Sequence, residues 1–126
     1  MTAILKRCPQ CRSLMLDGEL SVCIGCRRAW WDGGQITIDD VGMRSVAAFR
    51  VLLRLAMQPG VQVSHSDLSD WLWAEREDGG PATNNVRVYV SAIRTAMRRA
   101  GWAGAINNYH GRGWQLELPQ SSRRAA

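Results

Sequence analysis

The sequence predicts an α+β fold in which a small, β-rich, metal-binding module precedes three helices and a closing β-hairpin. Two Cys-x-x-Cys pairs near the N-terminus use all four cysteines of the 126-residue chain. Between residues 45 and 100, apolar residues recur at helical spacing in three segments, and two short strand-like runs around a glycine-rich turn follow them. A chain of this length has room for one ordinary domain and one small domain that depends on a metal.

The cysteines predict a zinc ribbon. They lie in Cys8-Pro9-Gln10-Cys11 and Cys23-Ile24-Gly25-Cys26, with eleven residues between the pairs. Two tight turns that each present two thiolates supply the four soft donors of a tetrahedral Zn²⁺ site. Residues 14–22 predict a β-hairpin, because two short apolar runs flank Asp17-Gly18. We therefore expect one structural zinc ion, with no open coordination position for catalysis, on Cys8, Cys11, Cys23 and Cys26.

Three other interpretations of the cysteines stay open at this stage. Two disulfides are disfavoured because the N-terminus does not resemble a signal peptide, and cytosolic thiols stay reduced. A redox-active pair needs only one Cys-x-x-Cys motif and a βαβ context. An iron–sulfur centre could also be held by four thiolates. The arginines that flank the pairs could offset the charge of a Zn(Cys)₄ centre or face phosphate, and they are Arg7, Arg12, Arg27 and Arg28.

The basic charge is concentrated at the two ends of the chain. The formal net charge is +5, divided as +3 in residues 1–28, −4 in residues 29–78 and +6 in residues 79–126. This segregation favours a nucleic-acid-binding surface on part of the molecule, although a solubilising surface could carry the same charges. No apolar run approaches the length needed to span a membrane, so we expect a soluble, cytoplasmic protein.

A second hairpin is predicted directly after the last cysteine. The runs Ala29-Trp30-Trp31 and Gln35-Ile36-Thr37-Ile38 flank the turn Asp32-Gly33-Gly34. We take residues 1–38 as one module, the ribbon plus this hairpin. Because no linker separates it from the rest, we expect the ribbon to dock on the next domain through Trp30 and Trp31.

Residues 39–118 predict three helices and then a hairpin. A first helix capped by Ser45 runs to about Met57, and a second is capped by Ser64 with Asp67. The expected buried residues of these two helices are Phe49, Leu52, Leu53, Ala56, Leu68, Trp71 and Leu72.

The third helix is predicted from about Asn84 to Ala100. Its apolar stripe consists of Val86, Val90, Ile93 and Met97. The strands of the closing hairpin cover residues 105–108 and 114–118, with a glycine-rich turn between them. The tail, residues 119–126, is expected to be basic and disordered.

Five motifs in this region carry a family resemblance. In chain order they are Phe49-x-x-Leu52-Leu53, Pro59-Gly60-x-x-Val63-Ser64, Leu68-x-x-x-Leu72-Trp73, Asn85-Val86-x-Val88-x-Val90-x-x-Ile93-Arg94 and Gly111-Arg112-Gly113-Trp114. Together they resemble the winged-helix effector domain of OmpR/PhoB-type bacterial response regulators, over more than half of the chain. The resemblance implies double-stranded DNA binding, with the third helix in the major groove and the wing, residues 109–113, at the adjacent minor groove.

Helical periodicity gives a DNA-facing surface independently of the family. With the apolar stripe inward, the outward side chains of the third helix are Asn84, Arg87, Val88, Ser91, Thr95, Arg98 and Arg99, with Ala92 beside them. Small polar residues allow close approach to base edges, and the arginines supply donors to guanine or phosphate. We expect Arg87 and Ser91 to read bases, Asn84 or Asn85 to assist, and Arg98 to bind phosphate.

Further contacts are implied by the resemblance alone. Arg94 matches an arginine common in the family, which either anchors phosphate or braces the fold. His65 stands where relatives often carry a basic phosphate contact, although a solvated histidine is an equal alternative. His110 occupies the position of the family's minor-groove arginine, and Arg112 could substitute for it. Ala92 replaces a residue that is often basic in relatives, so we expect a different target sequence.

The family also suggests a contact with RNA polymerase through the loop between the second and third helices. The corresponding loop here contains Trp73, Glu75 and Glu77, and an acidic, solvated loop is the simpler interpretation. The phosphate-accepting receiver domain of many relatives has no counterpart in this sequence, because the ribbon occupies its place.

These patterns favour a sequence-specific, DNA-binding transcription regulator associated with the nucleoid. An enzyme is disfavoured, because neither a catalytic triad order nor a phosphate-binding glycine loop is present. The alternative is a protein–protein adaptor that docks on RNA polymerase or a replication complex, since winged helices also bind proteins.

Overall fold

The structure is a computed structural model that describes residues 4–41, 45–72, 86–109 and 113–119. Within these ranges the chain forms a five-stranded antiparallel sheet, four helices and a two-stranded hairpin, which confirms the predicted α+β class. The elements in chain order are β1 (Ile4–Arg7), β2 (Leu14–Asp17), β3 (Leu20–Cys23), β4 (Arg28–Trp31), β5 (Gly34–Thr37), α1 (Ile38–Val41), α2 (Ser45–Met57), α3 (His65–Leu72), α4 (Val86–Arg99), β6 (Ala105–Tyr109) and β7 (Gly113–Glu117).

Both predicted N-terminal hairpins form, and they join into one sheet. Strand order follows the chain from β1 to β5. The link is the pairing of β3 with β4, from Leu20 opposite Trp31 to Cys23 opposite Arg28. The sequence predicted the hairpins separately, because local turn signals do not specify how two hairpins pair with each other.

Two elements were not predicted from the sequence. Strand β1 pairs with β2, but all four of its side chains are exposed, so it lacks the alternation that identifies a half-buried strand. Helix α1 has only four residues. It begins after Thr37, whose backbone N–H and hydroxyl both donate to the Asp40 carboxylate, at 2.6 and 3.2 Å. This arrangement resembles a capping box.

The sheet has one face toward the helices and one face toward the cysteines. Leu16, Leu20 and Val22 lie on the inner face and belong to the main hydrophobic core. Met15 and Cys23 alternate with them along β2 and β3, and pack with Cys8 in a second, smaller cluster. Because successive side chains in a strand point to opposite faces, alternate residues of β2 and β3 pack either in the main core or against the cysteines.

The same alternation corrects the predicted docking residues. Trp31 packs against the main core, and its ring lies 6.4 Å from that of Trp102. Trp30 instead packs against the cysteine cluster, with the Arg28 guanidinium 4.3 Å from its ring centroid. Only one of the two tryptophans can face the helices, because neighbouring residues in a strand point to opposite faces.

The first two predicted helices are confirmed as α2 and α3. Helix α2 has the predicted bounds and lies at the centre of the core, since Phe49, Leu52, Leu53 and Ala56 are all buried. The Ser64 hydroxyl accepts the backbone N–H of Asp67 at 3.0 Å, as the capping signal predicted.

The closing hairpin is anchored to the connector between α2 and α3. Val63 and Trp114 exchange backbone hydrogen bonds of 2.8 and 2.9 Å, and the Gly60 N–H donates to the Leu116 carbonyl. Gly113 has a φ of 123°, and a Cβ there would collide with the Val63 carbonyl. Gly113, the second glycine of the Gly-x-Gly motif, is therefore needed for the close approach of two backbones.

Candidate nucleic-acid interface and cysteine cluster

Helix α4 is amphipathic as predicted. The stripe of Val86, Val90, Ile93 and Met97 is fully buried. Tyr89 and Ala96 are buried as well. They were not predicted, because the buried side of the helix is wider than the single apolar stripe. The predicted N-terminal residues, Asn84 and Asn85, lie outside the described residues.

The outward side of α4 carries the predicted polar surface. Arg87, Val88 and Ser91 are exposed, and Thr95 is half-buried beside them. Together with Ala92 they line a shallow groove against α1. This surface offers a guanidinium, a hydroxyl and small apolar groups, which is the chemistry that reads base edges and thymine methyl groups.

An acidic residue forms the edge of this groove. Asp40 and Val41 of α1 line it opposite the α4 side chains. The sequence did not predict α1, so this carboxylate was not expected beside Arg87. Its negative charge opposes the approach of phosphate from that edge and leaves the arginine side as the favourable approach.

Arg94 braces the fold. Its Nη2 donates to the Ile106 carbonyl of β6, and its guanidinium lies 5.8 Å from the Trp114 ring centroid. Its Nε is buried without a hydrogen-bond partner among the described residues. Of the two roles implied by the family, the structure supports the link between α4 and the hairpin.

Arg98 lies one turn further along α4 and is exposed. It lines a cleft with Asn107 and Asn108 of β6. Because these asparagines are neighbours in a strand, their side chains point to opposite faces, and only one of them can face the cleft with Arg98. The sequence did not identify them, because they lie nine and ten residues beyond Arg98 and only the turn between α4 and β6 brings them close. A guanidinium with one amide beside it suits a phosphate oxygen.

The other predicted contacts are only partly described. His65 is exposed in the first turn of α3. Strands β6 and β7 carry the wing between them. The remaining residues lie outside the described ranges, namely His110 and Arg112 of the wing and Trp73, Glu75 and Glu77 of the loop after α3.

The four cysteines form a compact cluster. All four are free, and their sulfur atoms lie within 4.8 Å of one another. The Cys11–Cys23 distance is 3.4 Å, and Cys26 lies 3.7 Å from both Cys8 and Cys11. A disulfide would need about 2.05 Å, whereas four sulfurs about 2.3 Å from one zinc ion lie about 3.8 Å apart. The four cysteines could therefore hold one metal ion.

The two Cys-x-x-Cys turns, residues 8–11 and 23–26, are called knuckles here, and both are followed by a residue with the same backbone conformation. The residue after each second cysteine, Arg12 or Arg27, adopts a left-handed φ of 63° or 58°. In the second knuckle the Cys26 N–H points to the Cys23 sulfur at 3.4 Å. A Cβ at Gly25 would collide with Ser13 and the Cys11 sulfur, so the glycine allows the two knuckles to approach.

The thiols differ in their readiness to ionise. A backbone hydrogen bond from Ser13 lowers the pKa of Cys11 to about 6, and one from Cys11 lowers the pKa of Cys8. Burial raises the pKa of Cys23. Hydrogen bonds with the other three sulfurs raise the pKa of Cys26 to about 12. A cation among the sulfurs would favour their deprotonated form.

Comparison with known proteins shows that this chain is similar to transcriptional regulatory proteins. Residues 43–116 match the family model described as "Transcriptional regulatory protein, C terminal". A search of the curated proteins finds no match. No helix within the described ranges is long and apolar enough to cross a membrane.

Three solved structures share the fold. The DNA-binding domain of E. coli CadC is 23% identical with a TM-score of 0.60, over 81% of this chain and 89% of that one. The C-terminal domain of the nisin resistance regulator NsrR, a lantibiotic response regulator, is 19% identical with a TM-score of 0.61, over 82% and 96%. The DNA-binding domain of E. coli CpxR is 21% identical with a TM-score of 0.53, over 82% and 96%.

The matched segment contains α2, α3, α4 and nearly all of the closing hairpin. It thus includes the exposed face of α4 with Arg87 and Ser91. This family is a class of DNA-binding domains and not a class of enzymes. The chain belongs to the C-terminal, OmpR/PhoB-type family of transcriptional regulatory proteins and is a DNA-binding transcription regulator.

Proposed function

We propose that this protein binds specific double-stranded DNA sequences through α4 in the major groove, with the wing at the adjacent minor groove. The observation that supports this most directly is the division of α4 into a buried stripe and an exposed face with Arg87 and Ser91. A helix held in this way presents fixed side chains to base edges, which sequence-specific recognition requires.

The contacts divide into two roles. Arg87 and Ser91, near the start of α4, read bases. Arg98 positions the protein on a phosphate, with one of the two asparagines of β6 beside it, and His65 adds a second contact to the DNA backbone from α3. Contacts to phosphate contribute affinity but do not distinguish one DNA sequence from another. Mutating them should therefore lower affinity, whereas mutating the base-reading residues should lower selectivity.

Selection from random duplexes, followed by titration over a salt series, tests this assignment. Arg87→Ala should lose about 1–3 kcal/mol of discrimination at one base position. Arg98→Ala should weaken binding to all duplexes alike and lower the salt slope by about one. Lys6→Ala is the matched control, because it removes the same charge from β1, where Lys6 pairs with Asp17 at 3.3 Å.

Unchanged affinity and selectivity in both α4 variants would exclude this helix as the reader. Failure of the wild-type protein to bind any duplex at low salt would favour the adaptor function instead. The proposed site of action is the nucleoid in the cytoplasm.

We also propose that the cysteine cluster holds one structural Zn²⁺ ion. The sulfur spacing fits a tetrahedral ion, and four cysteine ligands leave no open position, so the metal would stabilise the module without catalysing a reaction. Metal analysis of protein purified under reducing conditions should give one zinc per chain. Iron with visible absorbance would indicate an iron–sulfur centre instead.

A contact with RNA polymerase through Trp73, Glu75 and Glu77 remains a proposal from the family resemblance. Reversing the charge of Glu75 and Glu77 should then abolish activation in a transcription assay while leaving DNA affinity unchanged. Unaltered activation would reject the contact.

A further inference from the structure

A cleft of about 420 Å³ lies between the first strands of the sheet and helices α2 and α3. It is separate from the α4 groove and from the cysteine ligands. Its apolar side chains come from both parts of the molecule, with Leu14 and Ile24 on one side and Leu53 and Trp71 on the other. Its volume is within the range of small-molecule sites.

Among the described residues that line this cleft, two arginines carry the charges. Arg7 reaches it from β1 and Arg50 from α2. The only ion pair among the described residues joins Lys6 to Asp17, so neither arginine has a carboxylate partner there. Arg7 is exposed and Arg50 is half-buried where they line the cleft, so an anion placed there would be attracted to two positive charges.

Arg50 is held in a fixed position. Its Nη2 donates to the Trp71 carbonyl at 3.3 Å, and the Trp71 indole N–H donates to the Arg50 carbonyl at 2.8 Å. Its Nε is buried and has no hydrogen-bond partner in the described part of the chain. A guanidinium fixed in this way loses little conformational entropy when it binds a ligand, which favours recognition.

We propose that this cleft binds a small organic carboxylate, with the anionic group at Arg7 and Arg50 and the apolar body against Leu14, Ile24 and Leu53. A neutral apolar ligand would leave the two charges uncompensated, and an inorganic anion would leave the apolar surface in water. Because the cleft exists only when the sheet is docked on the helices, the ligand would also stabilise the docked state. This proposal does not depend on DNA binding.

Titration of the full-length protein with naphthalene-2-carboxylate tests the proposal by NMR. The indole N–H resonance of Trp71 is a local reporter, since that proton lies in the Arg50–Trp71 pair. We expect it to shift and saturate. The uncharged analogue 2-naphthalenemethanol should bind about tenfold more weakly, because it lacks the charge-assisted hydrogen bonds.

Two surface variants test the site. Arg7→Gln should weaken carboxylate binding about tenfold. Lys6→Gln should change it less than about twofold, although it removes the same charge from the adjacent residue, because that side chain points to the opposite face of β1.

Three results would overturn the proposal. They are no movement of the Trp71 resonance at millimolar carboxylate, equal binding of the alcohol, and equal weakening by Arg7→Gln and Lys6→Gln. The last would mean general attraction to a basic protein. Both positions are exposed, so an unchanged thermal midpoint would confirm that each variant remains folded.

Discussion

The two faces of the five-stranded sheet are stabilised in different ways. The inner face packs on α2 and belongs to a core with twenty-five buried residues in the described part of the chain, so apolar burial is its main source of stability. Among the described residues, the buried members of the outer face are Cys8, Met15, Cys23 and the polar Ser21. So few apolar residues cannot offset the conformational entropy of two ordered Cys-x-x-Cys turns, so the proposed metal ion would supply the missing stability of this face. On that proposal, apolar burial stabilises one side of the sheet and metal coordination the other.

Removing the proposed zinc ion should produce the largest effect, and that effect should be confined to the outer face. With a chelator, we expect amide protons in residues 8–13 and 23–27 to lose protection from exchange, while α2 and α4 keep theirs. Binding of a structural zinc supplies roughly 10 kcal/mol, far more than the small cluster can replace. Hydrogen exchange of the reduced protein, with and without chelator, measures this.

Cys23→Ser should reproduce the chelator effect, because this sulfur is fully buried and lies 3.4 Å from Cys11. Equal protection of residues 8–13 in the holo and metal-free proteins would contradict the division of the sheet into two differently stabilised faces.

Truncating one side chain on each face of the sheet should separate the contribution of apolar burial to stability from that of metal binding. Leu52→Ala creates a cavity in the main core and should lower the free energy of unfolding by about 3 kcal/mol, without changing metal affinity. Met15→Ala should have the opposite pattern, with weaker metal binding and a smaller change in unfolding. Denaturant titration and competition for metal with a chromophoric chelator measure the two quantities. Matching profiles for the two variants would mean that the faces act as one unit.

Gly25→Ala tests how tightly the knuckles are packed. The new Cβ would displace Ser13 or the Cys11 sulfur, so metal affinity should fall about tenfold or more. Gln10→Ala is the control, because Gln10 holds the same position in the first Cys-x-x-Cys turn, is exposed, and approaches the Cys26 sulfur only at a long 3.9 Å. A full loss of affinity in the control with none at Gly25 would reverse this interpretation.

The smallest effect is expected at the left-handed residue Arg27. Arg27→Gly removes a steric penalty of about 1–2 kcal/mol but adds unfolded-state entropy, so the net gain in stability should be below about 1 kcal/mol. The neighbouring Arg28→Gly should destabilise, since Arg28 is extended in β4 and contacts Trp30. The denaturation midpoint of the holoprotein distinguishes gain from loss, and destabilisation by both changes would argue against strain at Arg27.

Much of the candidate site followed from local patterns. The spacing of Val86, Val90, Ile93 and Met97 predicted which side of α4 is buried, and therefore that Arg87 and Ser91 face outward. The Cys-x-x-Cys pairs predicted the cluster, because a turn brings two sulfurs together within four residues. The assignment of Trp30 to the docking surface was wrong, since a run of two tryptophans does not show which one points inward.

Contacts between distant segments could not be predicted in this way. Three grooves or clefts are lined by residues from different elements. Asp40 lies at the edge of the α4 groove, Asn107 and Asn108 line the cleft of Arg98, and Arg7 and Arg50 line a third cleft. No periodicity relates such pairs, and each depends on the packing angle between two elements. The role of Arg94 was undecided for the same reason, because its acceptor is a backbone carbonyl of β6.

The sequence alone determined the elements and their polarity, namely three main helices with one apolar face each, two knuckles with two thiols each, and three hairpins. These follow from interactions within a few residues, which the chain carries wherever it is placed. Only the tertiary structure decided that two hairpins join into one sheet, that the inner face of this sheet shares the helical core, and that Arg7 and Arg50 line the same apolar cleft. Those outcomes depend on which surfaces bury each other, a property of the whole chain and not of any segment.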